Sequence, residues 1–339
     1  MRRLLLIVAF VLTACTDGLD DGDEVEAAGP PVTDQSEGDS AADEVEVPPP
    51  PLGTVLSELG AESWRLMALA DATAPQAPDF PAAPDRVPAS GGPRLQAKAW
   101  YVVDEDSGEV LTAKRAEEPR PVASITKLAA MMLYFDAPRP DDEPIQITRA
   151  IKQHMQITRS KLRVRGRYRA GDLVYSALLA SDNRAAAALA FSTGLPNEAF
   201  AAAMTRRAHA MGLASAYFGD PTGLHPENAT SPRDAVRLLA LALDHPQVGP
   251  ILRTAEHNYM RQDRRVHIQA RNSNLLAHYD HWDTAGGKTG YTVVAGSCLV
   301  LRTTIAGRRL LVALLGARKP DDRYEEMVRL RYWVEGLSE

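Results

Sequence analysis

The chain has 339 residues, 45% hydrophobic, 24% charged and 6% aromatic, with a formal net charge of −6. That charge is unevenly placed: residues 16–51 hold 12 Asp/Glu and no Lys or Arg, whereas residues 52–339 hold 36 basic and 32 acidic residues. No basic block with interleaved aromatics occurs, which argues against nucleic-acid binding, and the composition fits neither a collagen, a coiled coil nor a disulfide-stapled scaffold.

In chain order, Arg2 and Arg3 precede an apolar stretch from Leu4 to Leu12, followed by Thr13, Ala14 and Cys15. A short positive start, a short apolar core and small residues predict a secretory signal over 1–15, too short to span a bilayer. Leu12-Thr13-Ala14-Cys15 also resembles the lipobox of bacterial lipoproteins. The resemblance implies acylation of Cys15 and a protein exported to the periplasmic face and held on a membrane by lipid. Thr16, rather than Asp, after Cys15 favours the outer membrane in that scheme. Residues 17–51 have few large apolar side chains and end in four prolines, which predicts a disordered, self-repelling tether. Apolar residues between 53 and 71 predict one short helix, and residues 72–93 return to an Ala/Pro/Gly-rich linker. The expected organisation is a signal over 1–15, a tether over 16–94 and a folded domain over 95–339.

Within that domain, β-runs from Ala97 to Val103 and Glu109 to Lys114 flank a polar, glycine-containing turn and predict a hairpin. Apolar periodicity predicts helices at 124–136, 171–180, 183–191, 198–211 and 231–244, with Pro232 in the first turn of the last. Three β-runs follow, 284–289, 295–305 and 308–316, with Gly307 in the final turn, and a helix over 321–334 closes the chain. Strands, then helices, then strands predict an α+β fold with an antiparallel sheet and a helical subdomain. Cys298, in an apolar strand, reads as a small buried hydrophobe and not a catalytic thiol.

Ser124-Ile125-Thr126-Lys127 opens the first of these helices, so the hydroxyl and the amine share a face one turn apart. A lysine beside a serine can activate it if burial or neighbouring cations lower its pKa. Ser-x-x-Lys alone is common by chance. Here Ser181-Asp182-Asn183 follows 57 residues on, and Lys288-Thr289-Gly290 ends a β-run 164 residues beyond Ser124. In this order the three motifs are the active-site set of penicillin-binding proteins and class A β-lactamases.

Residues 97–336 resemble the D-alanyl-D-alanine carboxypeptidase/endopeptidase family of low-molecular-mass penicillin-binding proteins. Pro121-Val122-Ala123, Asp220-Pro221-Thr222-Gly223-Leu224, Ser231-Pro232-Arg233-Asp234 and Lys288 to Thr292 with Ala295-Gly296 carry the likeness. Ser160 to Gly166 and the Asp within Ser181-Asp182-Asn183 are closer to the endopeptidase branch. The resemblance implies a transpeptidase-like fold and a serine D,D-peptidase that cuts D-Ala-containing bonds of peptidoglycan through an acyl-enzyme, without a cofactor or metal. It implies Ser124 as nucleophile, Lys127 as base and Ser181 as proton relay. Asn183, Lys288, Thr289 and Gly290 would bind substrate, with the backbone N–H groups of Ser124 and Tyr291 as oxyanion hole. Arg271 and Arg323 are family-derived candidates for charge near the site. The partners implied are stem peptides and, as covalent inhibitors, β-lactams.

A class A β-lactamase would need a Glu-x-x-Leu-Asn pattern, and none lies between Ser181 and Lys288. A metallopeptidase lacks its His-Glu-x-x-His helix. D,D-endopeptidase action on cross-links is the expected function, with D-alanyl-D-alanine carboxypeptidase as the alternative. A lipid-anchored wall-binding protein without turnover is the remoter one.

Overall fold

A computed structural model describes residues 74–83, 92–137, 139–154 and 159–337. The expectations for the signal, Cys15, the acidic tether and the 53–71 helix fall outside these residues.

The elements run in order β1 (Ala99–Asp104), β2 (Val110–Lys114), β3 (Arg120–Pro121), α1 (Thr126–Tyr134), β4 (Pro144–Gln146), α2 (Arg149–His154) and β5 (Arg167–Arg169). They continue with α3 (Ala170–Leu178), α4 (Asn183–Ser192), α5 (Asn197–Ala210), β6 (Ala229–Thr230), α6 (Pro232–Asp244) and α7 (Val248–Leu252). The last are β7 (Glu256–Met260), β8 (His267–Arg271), β9 (Asp283–Thr292), β10 (Gly296–Ile305), β11 (Arg308–Ala317) and α8 (Asp322–Gly336).

The terminal strands share one antiparallel sheet, ordered β2-β1-β11-β10-β9, as the α+β expectation required. The middle stretches of its central strands, Ala99–Val103, Cys298–Leu301 and Leu310–Leu315, are apolar because both faces are covered. Tyr101, Val103, Val300, Leu311, Ala313 and Leu315 face the helical core. Their alternating neighbours, among them Val102, Leu301, Val312 and Leu314, pack with Met327 and Leu330 of α8. Ile305 pairs with Arg308 across a two-residue loop, and Ala306 (φ +50°) and Gly307 (φ +75°) both take the left-handed conformation a tight hairpin needs. β9 is left at the edge, with one side unpaired.

On the helical side, every residue of α1 is buried, so this helix is a core element with no solvent face. β3 pairs with β6, and Val122 N donates to Asn228 O at 3.0 Å, which fixes the chain just before Ser124. Two small strand pairs, β4–β5 and β7–β8, flank the helices.

The linker expected over 72–93 is corrected at 74–83, which packs on the domain. Ala77 and Phe80 are buried, Ala77 N donates to Met211 O at 3.0 Å, and Tyr101 Oη donates to Pro81 O at 2.6 Å. Arg233 and Arg237 of α6 hold the carbonyls of Phe80 and Pro78. Proline-rich backbone lacks N–H groups for a ladder, but its free carbonyls accept readily from arginine.

Candidate active site

The first motif crosses a join between two kinds of helix. Ser124 lies in a 3₁₀ turn, Ala123–Ile125, and the α-helix starts only at Thr126, two residues later than the sequence pattern implies. Ala123 takes φ +49°, a strained value for a residue with a Cβ. The turn lifts Ser124 to partial exposure while Lys127 stays fully buried.

Lys127 Nζ donates to Ser124 Oγ at 2.8 Å, to Asn183 Oδ1 at 2.5 Å and to Thr222 O at 2.6 Å. Burial pulls its pKa down to about 7, against the attraction of Asp220 and Asp182. Two of the three partners are carbonyl oxygens that can only accept. The serine hydroxyl alone can return a proton to a neutral amine.

The second motif sits where α3 hands over to α4. Ser181 takes φ +56°, and Asp182 caps α4 by accepting from Arg184 N at 2.9 Å and Ala185 N at 3.0 Å. The other carboxylate oxygen of Asp182 accepts from Ser160 Oγ at 2.7 Å. Burial raises the Asp182 pKa, opposed by these donors and by Lys127.

The third motif lies on β9. Lys288 is buried, and its Nζ donates to Ser181 Oγ at 2.9 Å and Thr289 O at 3.0 Å. Burial, then the charges of Lys127 and Arg323, hold its pKa well below the usual lysine value. Thr289 Oγ1 and Ser273 Oγ are 2.7 Å apart. Gly290 fits directly against the backbone around Ser124, since a Cβ there would come within 2.6 Å of Val122 O and 3.1 Å of Ser124 N. Tyr291 follows with a half-exposed side chain.

The three motifs thus converge, as the sequence predicts. Arg323 is buried behind β9 and donates to Gly290 O at 3.0 Å and Cys298 O at 3.3 Å, so it braces the strand from its rear. Arg271 is exposed at the end of β8, outside this hydrogen-bond network. Cys298 is buried, as expected. Sequence reasoning missed the contribution of the Asp220–Leu224 turn. Asp220 accepts from Thr222 Oγ1, Gly223 N and Asn228 Nδ2, and the turn so formed aims Thr222 O at Lys127. Gly223 (φ +88°) lies so close to the segment carrying Ser124 that a Cβ would meet Ala123 O at 2.2 Å. Among the described residues, no group of three or more His, Cys, Asp or Glu gathers as metal ligands would. Among them also, no helix is long and apolar enough to cross a membrane.

The sequence profile of the family described as D-alanyl-D-alanine carboxypeptidase matches residues 86–319. The chain is 31% identical to a D-alanyl-D-alanine endopeptidase of Escherichia coli K12, over 72% of this chain and 78% of that one. It is 33% identical to a D-alanyl-D-alanine endopeptidase of Pseudomonas aeruginosa, over 71% and 78% of the two chains. Among solved structures, the Streptomyces K15 DD-transpeptidase aligns with a TM-score of 0.64 at 22% identity, over 71% of this chain and 97% of that one. That likeness is one of fold.

Proposed function

Because the chain belongs to the D-alanyl-D-alanine carboxypeptidase family, a family of serine peptidases, we propose that Ser124 is its nucleophile, Lys127 the base and Ser181 the proton relay. The enzyme is a serine-type D-Ala-D-Ala peptidase acting on peptidoglycan, and its main activity is D,D-endopeptidase cleavage of cross-links. The observation that carries the assignment of roles is the buried lysine whose only returnable proton partner is the serine.

Neutral Lys127 takes the hydroxyl proton of Ser124 as Oγ attacks the carbonyl between two D-amino acids. The oxyanion meets the backbone N–H groups of Ser124 and Tyr291, where one lost donor costs about 3 kcal/mol. Ser181 accepts from Lys288, which leaves its own hydrogen free to go to the leaving amine. The C–N bond breaks, the acyl group stays on Ser124, and the proton that Lys127 took passes to Ser181, which restores the neutral lysine. Water then attacks the ester, its proton passing to Lys127 and from there to Ser124 Oγ as the ester C–O bond breaks, which releases the acid and restores the free enzyme. Asn183 and Thr289 hold the substrate amide and a carboxylate or amide beside it. A β-lactam carbonyl enters the first half of this cycle and stops at the ester.

Export, lipidation of Cys15 and residence on the periplasmic face, on the outer membrane by the Thr16 argument, complete the proposal and rest on the sequence pattern alone. Carboxypeptidase action is the second possibility, supported by the family's description and by a 28% identical D-alanyl-D-alanine carboxypeptidase of Escherichia coli. Mass analysis of purified muropeptides separates the two. Cross-linked dimers should fall to monomers faster than pentapeptides lose D-alanine. Loss of D-alanine with dimers left whole would make the enzyme a carboxypeptidase.

A further inference from the structure

Six Lys/Arg and no Asp/Glu fall between residues 159 and 169, and residues 256–271 add four Arg, two His and only two acids. The fold joins these segments into one face. Gln262 N donates to Arg167 O at 3.0 Å, Lys161 Nζ to Gln269 O at 3.3 Å, and Arg167 N to Asp263 Oδ1 at 3.4 Å. Leu162, Tyr168, Ile268 and Ala270 are buried in alternation with the cations, so Arg163, Arg165, Arg167 and Arg169 are all exposed. Arg261 is neutralised by Asp263 at 2.6 Å, and His257 faces Asp172 at 2.8 Å. Among the described residues, the remaining Lys/Arg of this face form no ion pair, although exposed arginines elsewhere in the protein are paired, such as Arg115 and Arg309.

The face adjoins the catalytic network at two points. Ser160, inside the first segment, donates to Asp182 between Ser181 and Asn183. Arg271, at the end of the second, is two residues from Ser273, which bonds the Leu179 carbonyl and the Thr289 hydroxyl. Uncompensated cations on one face raise the local concentration of a polyanion, and guanidinium forks match carboxylates in particular. The stem peptides that enter the site carry free carboxylates along the same polymer.

Resting on the peptidase function above, we propose that the face built from residues 159–169 and the β7–β8 hairpin docks carboxylates of stem peptides flanking the cross-link being cut. The enzyme then holds the polymer independently of the peptide in its site. The preference for polymer over free peptide comes from this second contact.

The test uses the full chain with Arg163→Gln, Arg165→Gln, Arg264→Gln and Arg265→Gln combined, changes that remove exposed charge and keep the side chains polar. Binding to insoluble peptidoglycan is read by co-sedimentation in a Ser124→Ala background, so the polymer is not digested. The combined variant should bind at least tenfold more weakly, and wild-type-face binding should fall with added salt. With Ser124 intact, kcat on small soluble dimers should stay within twofold while KM for the polymer rises. Amidating the polymer's carboxylates should abolish binding; stripping its phosphodiesters should leave it intact. Undiminished binding by the combined variant, or loss on removing phosphate alone, overturns the proposal. Soluble dimers left whole by the wild-type enzyme would instead refute the endopeptidase function, since the binding assay uses no turnover.

Discussion

At the scale of single residues, burial lets a lysine beside a serine give up its proton near neutral pH. Only neutral Lys127 can take the proton, and its pKa of about 7 makes the neutral fraction grow tenfold per pH unit below 7 and level off above. The rate of labelling by a fluorescent penicillin should follow that curve; a flat profile between pH 5 and 7 would exclude Lys127 as base. The same shift acts on stability. Unfolded lysine keeps its proton up to its ordinary value of 10.5, so folding releases a proton between about pH 7 and 10.5 and stability rises across that window. A Lys127→Met variant should therefore gain most over wild type below pH 7, and the gap in thermal midpoint should close towards pH 10. Gly223→Ala places a Cβ against Ala123 O and forces a left-handed φ on alanine. The displaced nucleophile should acylate at least 100-fold more slowly, measured by the same label, and a near-normal rate would show that the turn does not set Ser124. The five motif side chains are legible in the sequence because their chemistry is written in residue type and order. Thr222 is not, because it acts through a main-chain carbonyl that any residue supplies.

Among elements, the segment 74–83 departs furthest from the sequence pattern. Its Ala/Pro content reads as linker, since prolines remove donors and give no periodicity, yet Phe80 fills the core and two arginines of α6 grip its carbonyls. Phe80→Ala should cost about 3 kcal/mol, a typical value for emptying a buried aromatic site, and lower the urea midpoint accordingly. An unchanged midpoint would mean the strap adds nothing to the fold. The long strands β10 and β11 and the helices of the core are legible because they are apolar and long. The pairs β4–β5 and β7–β8 escape notice because they are three to five residues long and each strand carries only one or two apolar residues. The outward faces of β5, β7 and β8 belong to the proposed docking surface, so in these strands the weak signal and the docking role have one cause.

For the whole molecule, the proposed tether and the proposed docking face serve one task, reaching and holding a fixed polymer. By flexible-chain scaling, a 35-residue tether reaches about 30–35 Å, and charge repulsion with the proline run extends it. Deleting residues 17–50 while keeping Cys15 should lower cross-link cleavage in cells and leave cleavage of soluble dimers unchanged; equal activity of both forms in cells would remove the spacer role. The proposed mechanism depends on a serine that forms an ester. The most direct measurement is peptide mapping by mass after incubation with benzylpenicillin, on the wild-type chain and on Ser124→Ala. One penicilloyl group on the peptide containing Ser124, absent from the variant, is the expected result. An adduct on another residue, or one that persists in Ser124→Ala, would contradict it.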